Sequence, residues 1–337
     1  MDIFVKTSIT IMLKHYFFAM ALIVSSFWEV HAQINIGSFE SPNIRDGAGM
    51  IRKGDVRRME HNKTIFFYGE KDEARLEDLK KALKGAWDLN SLEFDHIRNF
   101  KKYERERNTA FITLEVSPVV KVNTNIGKER EVDCKVYLLL WVPKSRDRVP
   151  YARIELYPEH EFVKKLIKVP GDEDKKDLIY KEGKFYNDSP GLLSLYFRHV
   201  SKGLSIDDNI TAPSLYDDWA REDSAGLGLL RNEILYVPDY VLIEEDLRDD
   251  TTQVRAAIDL FEDYPHRYEI LKREQLSNLI LEDVSHLNYV FVYVQSGEEK
   301  HFSIFNTKGE ILFHEFEGNS FNLQENDIRE MARSVGD

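Results

Sequence analysis

Cysteine is almost missing from this chain. Cys134 is the only one in 337 residues, so no disulfide closes within the chain and no cysteine cluster holds a metal. The common catalytic signatures are absent too. There is no H-E-x-x-H or other H-x-x-x-H pair, no G-x-S-x-G, no G-x-x-x-x-G-K-[ST] and no G-x-G-x-x-G. Positive charge is in the minority: 46 Lys and Arg stand against 59 Asp and Glu, for a net charge of −13. That balance argues against nucleic acid and anionic membrane surfaces as main partners. Long apolar runs are lacking as well. The uncharged stretch Tyr16 to Trp28 has 13 residues, whereas a membrane-spanning helix needs about 20. What is present is a content of 42% hydrophobic and 12% aromatic residues. This is enough to bury a substantial core, and it excludes intrinsic disorder.

Residues 1–32 read as an export signal. Met12 to His15 is a short basic start, Tyr16 to Trp28 the apolar region, and Val30 and Ala32 sit at the −3 and −1 positions of a signal-peptidase site. Cleavage there places Gln33 first and sends the protein to the periplasm or the exterior. An uncleaved anchor helix is the rival reading, and the length of the run argues against it. Met1 and Met12 both remain candidate starts. No cysteine at the cleavage point and no apolar tail at the carboxy terminus imply no stable membrane anchor after cleavage.

The mature chain reads as an α/β fold, with α+β as the variant: two similar units with mixed sheets, the pattern of an internal duplication. Residues 33–62 form an extended entry segment, 63–203 a first unit, 204–232 an acidic connector and 233–337 a second unit. In the first unit, Lys63 to Gly69 is a strand. A helix from Asp72 to about Ala86 carries the stripe Leu76, Leu79 and Leu83. Leu92 to Ile97 is a strand and 98–107 a charged helix. Thr109 to Val116, Asp133 to Val142 and Tyr151 to Tyr157 are three strands. Val169 to Asp188 is charged and glycine-bearing, so it is expected to be a solvated loop. Ser189 as cap and Pro190 at the first helical position start a helix through Lys202, with Gly203 just past its end.

The second unit repeats that order. Glu233 to Ile243 is a strand interrupted by Pro238. Asp250-Thr-Thr-Gln253 has capping-box spacing and predicts a helix to about Asp263 that buries Val254, Ala257, Ile258 and Phe261. Arg267 to Leu271 is a strand, and Lys272 to Val284 a helix with the stripe Leu276, Leu279 and Ile280. Asn288 to Val294 is a strand, and Lys300 to Asn306 with Glu310 to Phe316 make a hairpin across Thr307-Lys-Gly309. Asn322 is expected to cap the last helix. Leu92 to Asp95 aligns with Arg267 to Ile270, and Thr109 to Val116 with Asn288 to Val294.

The stretch Tyr268 to Glu282, followed by Leu287 to Val294 and by Phe305-Asn-Thr-Lys-Gly-Glu-Ile-Leu312, resembles the small α/β domain of the TolB amino-terminal and curli-secretion-channel type. In that type a short strand leads through an R-E-Q-L-like step into a helix, then a core strand and a hairpin with a T-G-E-I-L-like turn. The resemblance implies an envelope domain that works by contact, without a catalytic centre. The chain departs from the channel family in lacking a lipid-bearing cysteine and long alternating membrane hairpins, so the resemblance does not extend to a pore.

Candidate chemistry is sparse. Of the ten histidines, His15 and His31 precede Gln33. His301 and His314 lie on the two arms of the last hairpin and read as solvent-facing. Cys134, in Val132 to Leu140, reads as buried and inert. Trp87 and Trp141 read as core. The acidic cluster Asp217, Asp218, Trp219, Glu222 and Asp223 stands above background: carboxylates beside an aromatic suit a sugar, a calcium ion or general acid–base work. Its spacing matches no EF-hand. No cofactor is expected. The function these observations favour is contact with an envelope or secreted protein partner. A small ligand at the seam between the units, and a carboxylate-dependent hydrolase centred near Trp219, are the two alternatives.

Overall fold

The computed structural model describes residues 33–36, 56, 59, 61–103, 105–106, 109–123, 128–144, 147–205, 224–246, 251–282, 287–296, 299–318 and 322–336. The chain divides after residue 31, and residues 32–337 form one compact unit. The first sheet begins with β1 (Ile34–Ile36) and β2 (Lys63–Tyr68). The four central residues of β2 are buried, as suits a strand flanked by parallel neighbours and covered on both faces. Those neighbours are β3 (Ser91–His96), with Phe66 opposite Phe94, and β4 (Ala110–Asn123), with Ile65 opposite Phe111. Parallel pairing demands crossovers. A 3-10 turn (Glu70–Arg75) and α1 (Leu76–Lys84) make the first, and the 3-10 turn Ile97–Lys102 lies in the second. Antiparallel strands β5 (Lys128–Lys144) and β6 (Asp147–Leu156) follow, and the sheet order is β1-β6-β5-β4-β2-β3. Three helices come next: α2 (His160–Lys168), α3 (Asp172–Glu182) and α4 (Pro190–Ser205).

The second sheet opens on β7 (Leu235–Pro238), which Pro238 ends in a 3-10 turn. A separate hairpin, β8 (Ile243–Asp246) with β9 (Thr251–Val254), intervenes. Then come β10 (Tyr268–Leu271), α5 (Arg273–Glu282), β11 (Tyr289–Ser296), β12 (Glu299–Asn306), β13 (Ile311–Gly318) and α6 (Glu325–Val335). The order is β10-β7-β11-β12-β13. Matching β2 to β7, β3 to β10, β4 to β11, β5 to β12 and β6 to β13 superimposes both order and direction. In each sheet the first matched strand, β2 or β7, is parallel to two neighbours and the last two matched strands are antiparallel; β1, antiparallel to β6, has no counterpart. Two similar mixed sheets are what a duplication leaves. The segments aligned by sequence, around Leu92 and Arg267 and around Thr109 and Asn288, fall on or beside these equivalent strands. One hydrophobic core runs through both sheets.

Four local expectations fail. Val169 to Asp188 is not a solvated loop: α3 occupies most of it, with Ile179 and Tyr180 buried and the Leu114 N–H donating to the Tyr180 hydroxyl at 2.7 Å. The helix predicted from Asp250 is instead β9, and only one helical turn (Ala257–Leu260) follows. Val254 and Ile258, expected in the core, are 76% and 71% exposed, whereas Phe261 is buried. Thr-Thr-Gln-Val suits an extended strand as well as a helix start, and pairing with β8 decides between them. Asn322 does not cap α6. It sits in the left-handed region at φ 58° and clasps the Glu245 backbone, accepting from its N–H and donating to its carbonyl at 3.0 Å each. The cap is Gln324, whose N–H donates to Asp327 at 2.7 Å. Gly203 lies inside α4, where a Cβ would come within 2.4 Å of Ile36.

The helix α4 spans the two sheets. It touches α1 on one side and α5 on the other, and crosses α5 at Gly191, whose N–H donates to Ser277 Oγ at 2.9 Å. A Cβ on Gly191 would stand 2.6 Å from the Ser277 backbone. Gly191→Val is therefore expected to force α4 and α5 apart and cost on the order of 2–3 kcal/mol. Urea unfolding measures this, and a midpoint equal to the parent's would show that the crossing is not tight.

Candidate functional site

Three elements from both halves of the fold frame a cleft of about 880 Å³. The carboxy-terminal part of α1 supplies Lys81, Ala82 and Gly85, α4 supplies its start at Ser189 and Pro190 together with Arg198, and α5 supplies Arg273, Ser277 and Asn278. The small residues on α1 and the glycine crossing at Ser277 keep the helices close at one end and leave space beside them. This is the seam between the two similar sheets.

Two lining residues of the cleft, Arg75 and Arg273, belong to a buried ion cluster. Asp188 lies two residues ahead of α4 and is almost fully buried. Lys71 Nζ reaches its carboxylate at 3.2 Å, and Arg75 and Arg273 also donate to it. Arg75 adds a bond to the Asp188 carbonyl at 2.8 Å and shares Asp72 with Lys71. Arg273, from the second half, also holds the Phe185 carbonyl at 2.8 Å. Burial alone would push the Asp188 carboxyl up. Lys71, Arg75 and Arg273 outweigh it and hold the group down at about 2. Three cations thus face two carboxylates, which leaves the cluster with positive charge to spare.

Arg198 adds to that. It is half-buried, and NH1 donates to the Thr307 carbonyl. Among the described residues no carboxylate makes an ion pair with it. Burial lowers its pKa, with Asp88 opposing. Asp78, Glu274 and Glu282 line the cleft with carboxylates. Ser277 Oγ accepts from Gly191, so its proton is free to donate. The described lining has no histidine or cysteine. What it offers is ionic and hydrogen-bonding groups of both signs, suited to holding a polar ligand.

A second polar cluster lies where α2 meets β8. His160 Nδ1 stands 3.5 Å from Glu245 Oε2, and both residues are buried. Glu245 Oε1 and the Tyr157 hydroxyl have no hydrogen-bond partner among the described residues. Burial first, then Asp133, raises the Glu245 carboxyl to about 7, and Lys164 offsets part of this.

The acidic cluster singled out in the sequence, Asp217, Asp218, Trp219, Glu222 and Asp223, lies outside the described residues. Cys134 is buried beside Glu131, with Sγ to Oε1 at 2.9 Å, and burial drives its thiol well up. Trp87 and Trp141 are buried in the core. His301 is not solvent-facing. It is buried, stacked on His314 at 5.9 Å and against Phe316 at 4.9 Å. His314 is half-buried, with Nδ1 2.9 Å from Ser303 Oγ. Among the described residues no group of three or more His, Cys, Asp or Glu is placed to hold a metal, and no helix is long and apolar enough to cross a membrane. Sequence reading missed Asp188, Arg198 and Glu245. Asp188 had one visible cue, its place just ahead of a Ser-Pro helix start, and that cue points equally to a cap. Comparison with protein-family models, with curated proteins and with solved structures finds no match to this chain.

Proposed function

We propose that this is an exported binding protein that engages an envelope or secreted partner through the seam cleft, without chemistry of its own. The observation that carries the reading is the cleft itself. It is about 880 Å³, is framed by helices of both halves, and is lined by Arg75 and Arg273, which reach from it into the buried cluster around Asp188. Clefts between units are common binding places, and an uncompensated guanidinium such as Arg198 recognises a carboxylate by bidentate hydrogen bonding. A partner segment with an acidic side chain against Arg198 and basic or hydroxyl groups toward Glu274 and Glu282 fits the lining. The leader-like residues 1–32 support export. The resemblance of the second half to contact domains of the bacterial envelope supports a partner there.

Cross-linking the exported protein in cells, followed by affinity measurement with the captured partner, tests this. Asn278→Trp places a bulky ring in the cleft from an exposed position, and it is expected to weaken the partner by about tenfold or more. Glu269→Trp, on the exposed edge strand β10, should leave affinity unchanged. Equal affinity with the cleft filled would overturn the cleft as the site. A loss caused by Glu269→Trp alone would move the contact to the sheet edge.

A further inference from the structure

Leader removal after Ala32 would leave Gln33 as the first residue, and the chemistry assigned to Gln33 rests on that reading of residues 1–32. Gln33 is not on a loose end. In the full chain it is 1% exposed, its carbonyl accepts from Glu155 N–H at 2.9 Å, and the next three residues are β1, with Ile34 opposite Ile154 on β6. Its side-chain amide approaches the Tyr196 hydroxyl without the geometry of a hydrogen bond. Neither Gln33 Nε2 nor Oε1 has a partner among the described residues, and the Tyr196 hydroxyl has none either. The neighbouring amide of Asn187 is already committed, accepting from Tyr157 N–H at 2.8 Å and donating to the Glu155 carbonyl at 3.2 Å.

A mature chain starting here would set two uncomfortable groups beside the buried Tyr196 and Asn187. One is a primary amide that makes no well-formed hydrogen bond, the Tyr196 hydroxyl beside it being out of line. The other is an α-ammonium, costly to bury; the carboxylate opposite on β6, Glu155, already accepts from Ser296 Oγ. One intramolecular reaction removes both. We infer that position 33 of the mature protein is pyroglutamate. The α-amine attacks its own side-chain Cδ, the N–Cδ bond forms, the Cδ–Nε2 bond breaks, and Nε2 leaves as ammonia carrying the amine proton. Nothing is oxidised or reduced, and no co-reactant is needed. The product is a neutral lactam with one N–H and one side-chain-derived carbonyl in place of an ammonium and a whole amide. The Gln33 main-chain carbonyl is untouched, so its bond from Glu155 stays, and strand pairing begins one residue later at Ile34. Closure requires the side chain to curl onto its own amine, so it occurs on the free terminus before β1 docks on β6.

The test is mass spectrometry of the full gene product exported by a Gram-negative host, with free amines labelled at harvest so that later closure during handling does not count. The expected amino-terminal peptide begins at residue 33, is lighter than the Gln-headed peptide by one ammonia, takes no amine label, and is shortened by pyroglutamyl aminopeptidase after unfolding. The same peptide at full mass with a labelled amine would overturn the inference and leave leader removal standing. In that case the Glu155 carboxylate, opposite on β6, becomes the counter-ion to examine. A retained leader, or cleavage elsewhere, would take down the leader reading and the inference with it.

Discussion

Asp188→Asn is expected to cost about 3–5 kcal/mol of stability, the range for breaking a buried ion pair by removing one partner. Asparagine keeps the shape and one acceptor oxygen, so the loss is electrostatic rather than a packing defect. Lys71, Arg75 and Arg273 would then face only Asp72. The pH dependence gives an independent check. The carboxyl is held near 2 in the fold against 3.8 as a free side chain. The unfolded chain therefore binds its proton first as pH falls, and the contribution of Asp188 is fully present above about pH 4 and lost toward pH 2. That shift corresponds to roughly 2–3 kcal/mol. Urea unfolding of the parent and of Asp188→Asn at pH 7 measures the first quantity, and acid unfolding the second. Adding Arg273→Met to Asp188→Asn should recover part of the loss, because one uncompensated cation is gone. A substitution cost under 1 kcal/mol at pH 7 would mean that solvent screens the cluster and that it carries no excess charge.

The elements legible in the sequence are those whose evidence is local. Lys63 to Tyr68 and Tyr289 to Ser296 are apolar runs bounded by turn residues, and both are central strands. Leu79 and Leu83 repeat at helical spacing and are buried on α1. Thr307-Lys308-Gly309 needs a residue with positive φ, and Gly309 supplies it at 82°. What the sequence concealed depends on distant partners. The charged α3 has little apolar periodicity, and Tyr180 joins the core through Leu114, 66 residues away. Asp250-Thr-Thr-Gln253 fits a helix start, but a neighbouring strand claimed its residues. Asp188 bonds residues 113 and 85 positions distant, and no spacing rule reaches that far. The repeated order of strands was readable because each strand announces itself. The cleft was not, because it exists only where α1, α4 and α5 converge.

Glu245→Gln is expected to raise stability at pH 8 while leaving it nearly unchanged at pH 5. The carboxyl sits near 7 in the fold and 4.5 as a free side chain, so the folded state keeps a proton that the unfolded chain releases. Parent stability should fall as pH rises from about 4.5 to 7 and stay low above that, by up to ~3 kcal/mol. Glutamine has no proton to give up, so its profile lacks that slope. The window is separate from that of Asp188, which acts below pH 4, so one titration resolves the two. The neighbours set the sign. Burial and Asp133, on β5, disfavour the carboxylate, Lys164 on α2 favours it, and the phenols of Tyr157, Tyr186 and Tyr293 stay neutral, held far above their free value by burial. His160, on α2, is the remaining group facing the site, 3.5 Å from Oε2. If an imidazolium there paired with an ionised Glu245, the pair would stabilise the fold at neutral pH. Glutamine would then be the less stable form at pH 7, and the parent would lose stability toward acid instead of toward base. Guanidinium unfolding of the two proteins at half-unit pH steps from 4.5 to 8 distinguishes a carboxyl kept protonated by its surroundings from one clasped by a charged histidine.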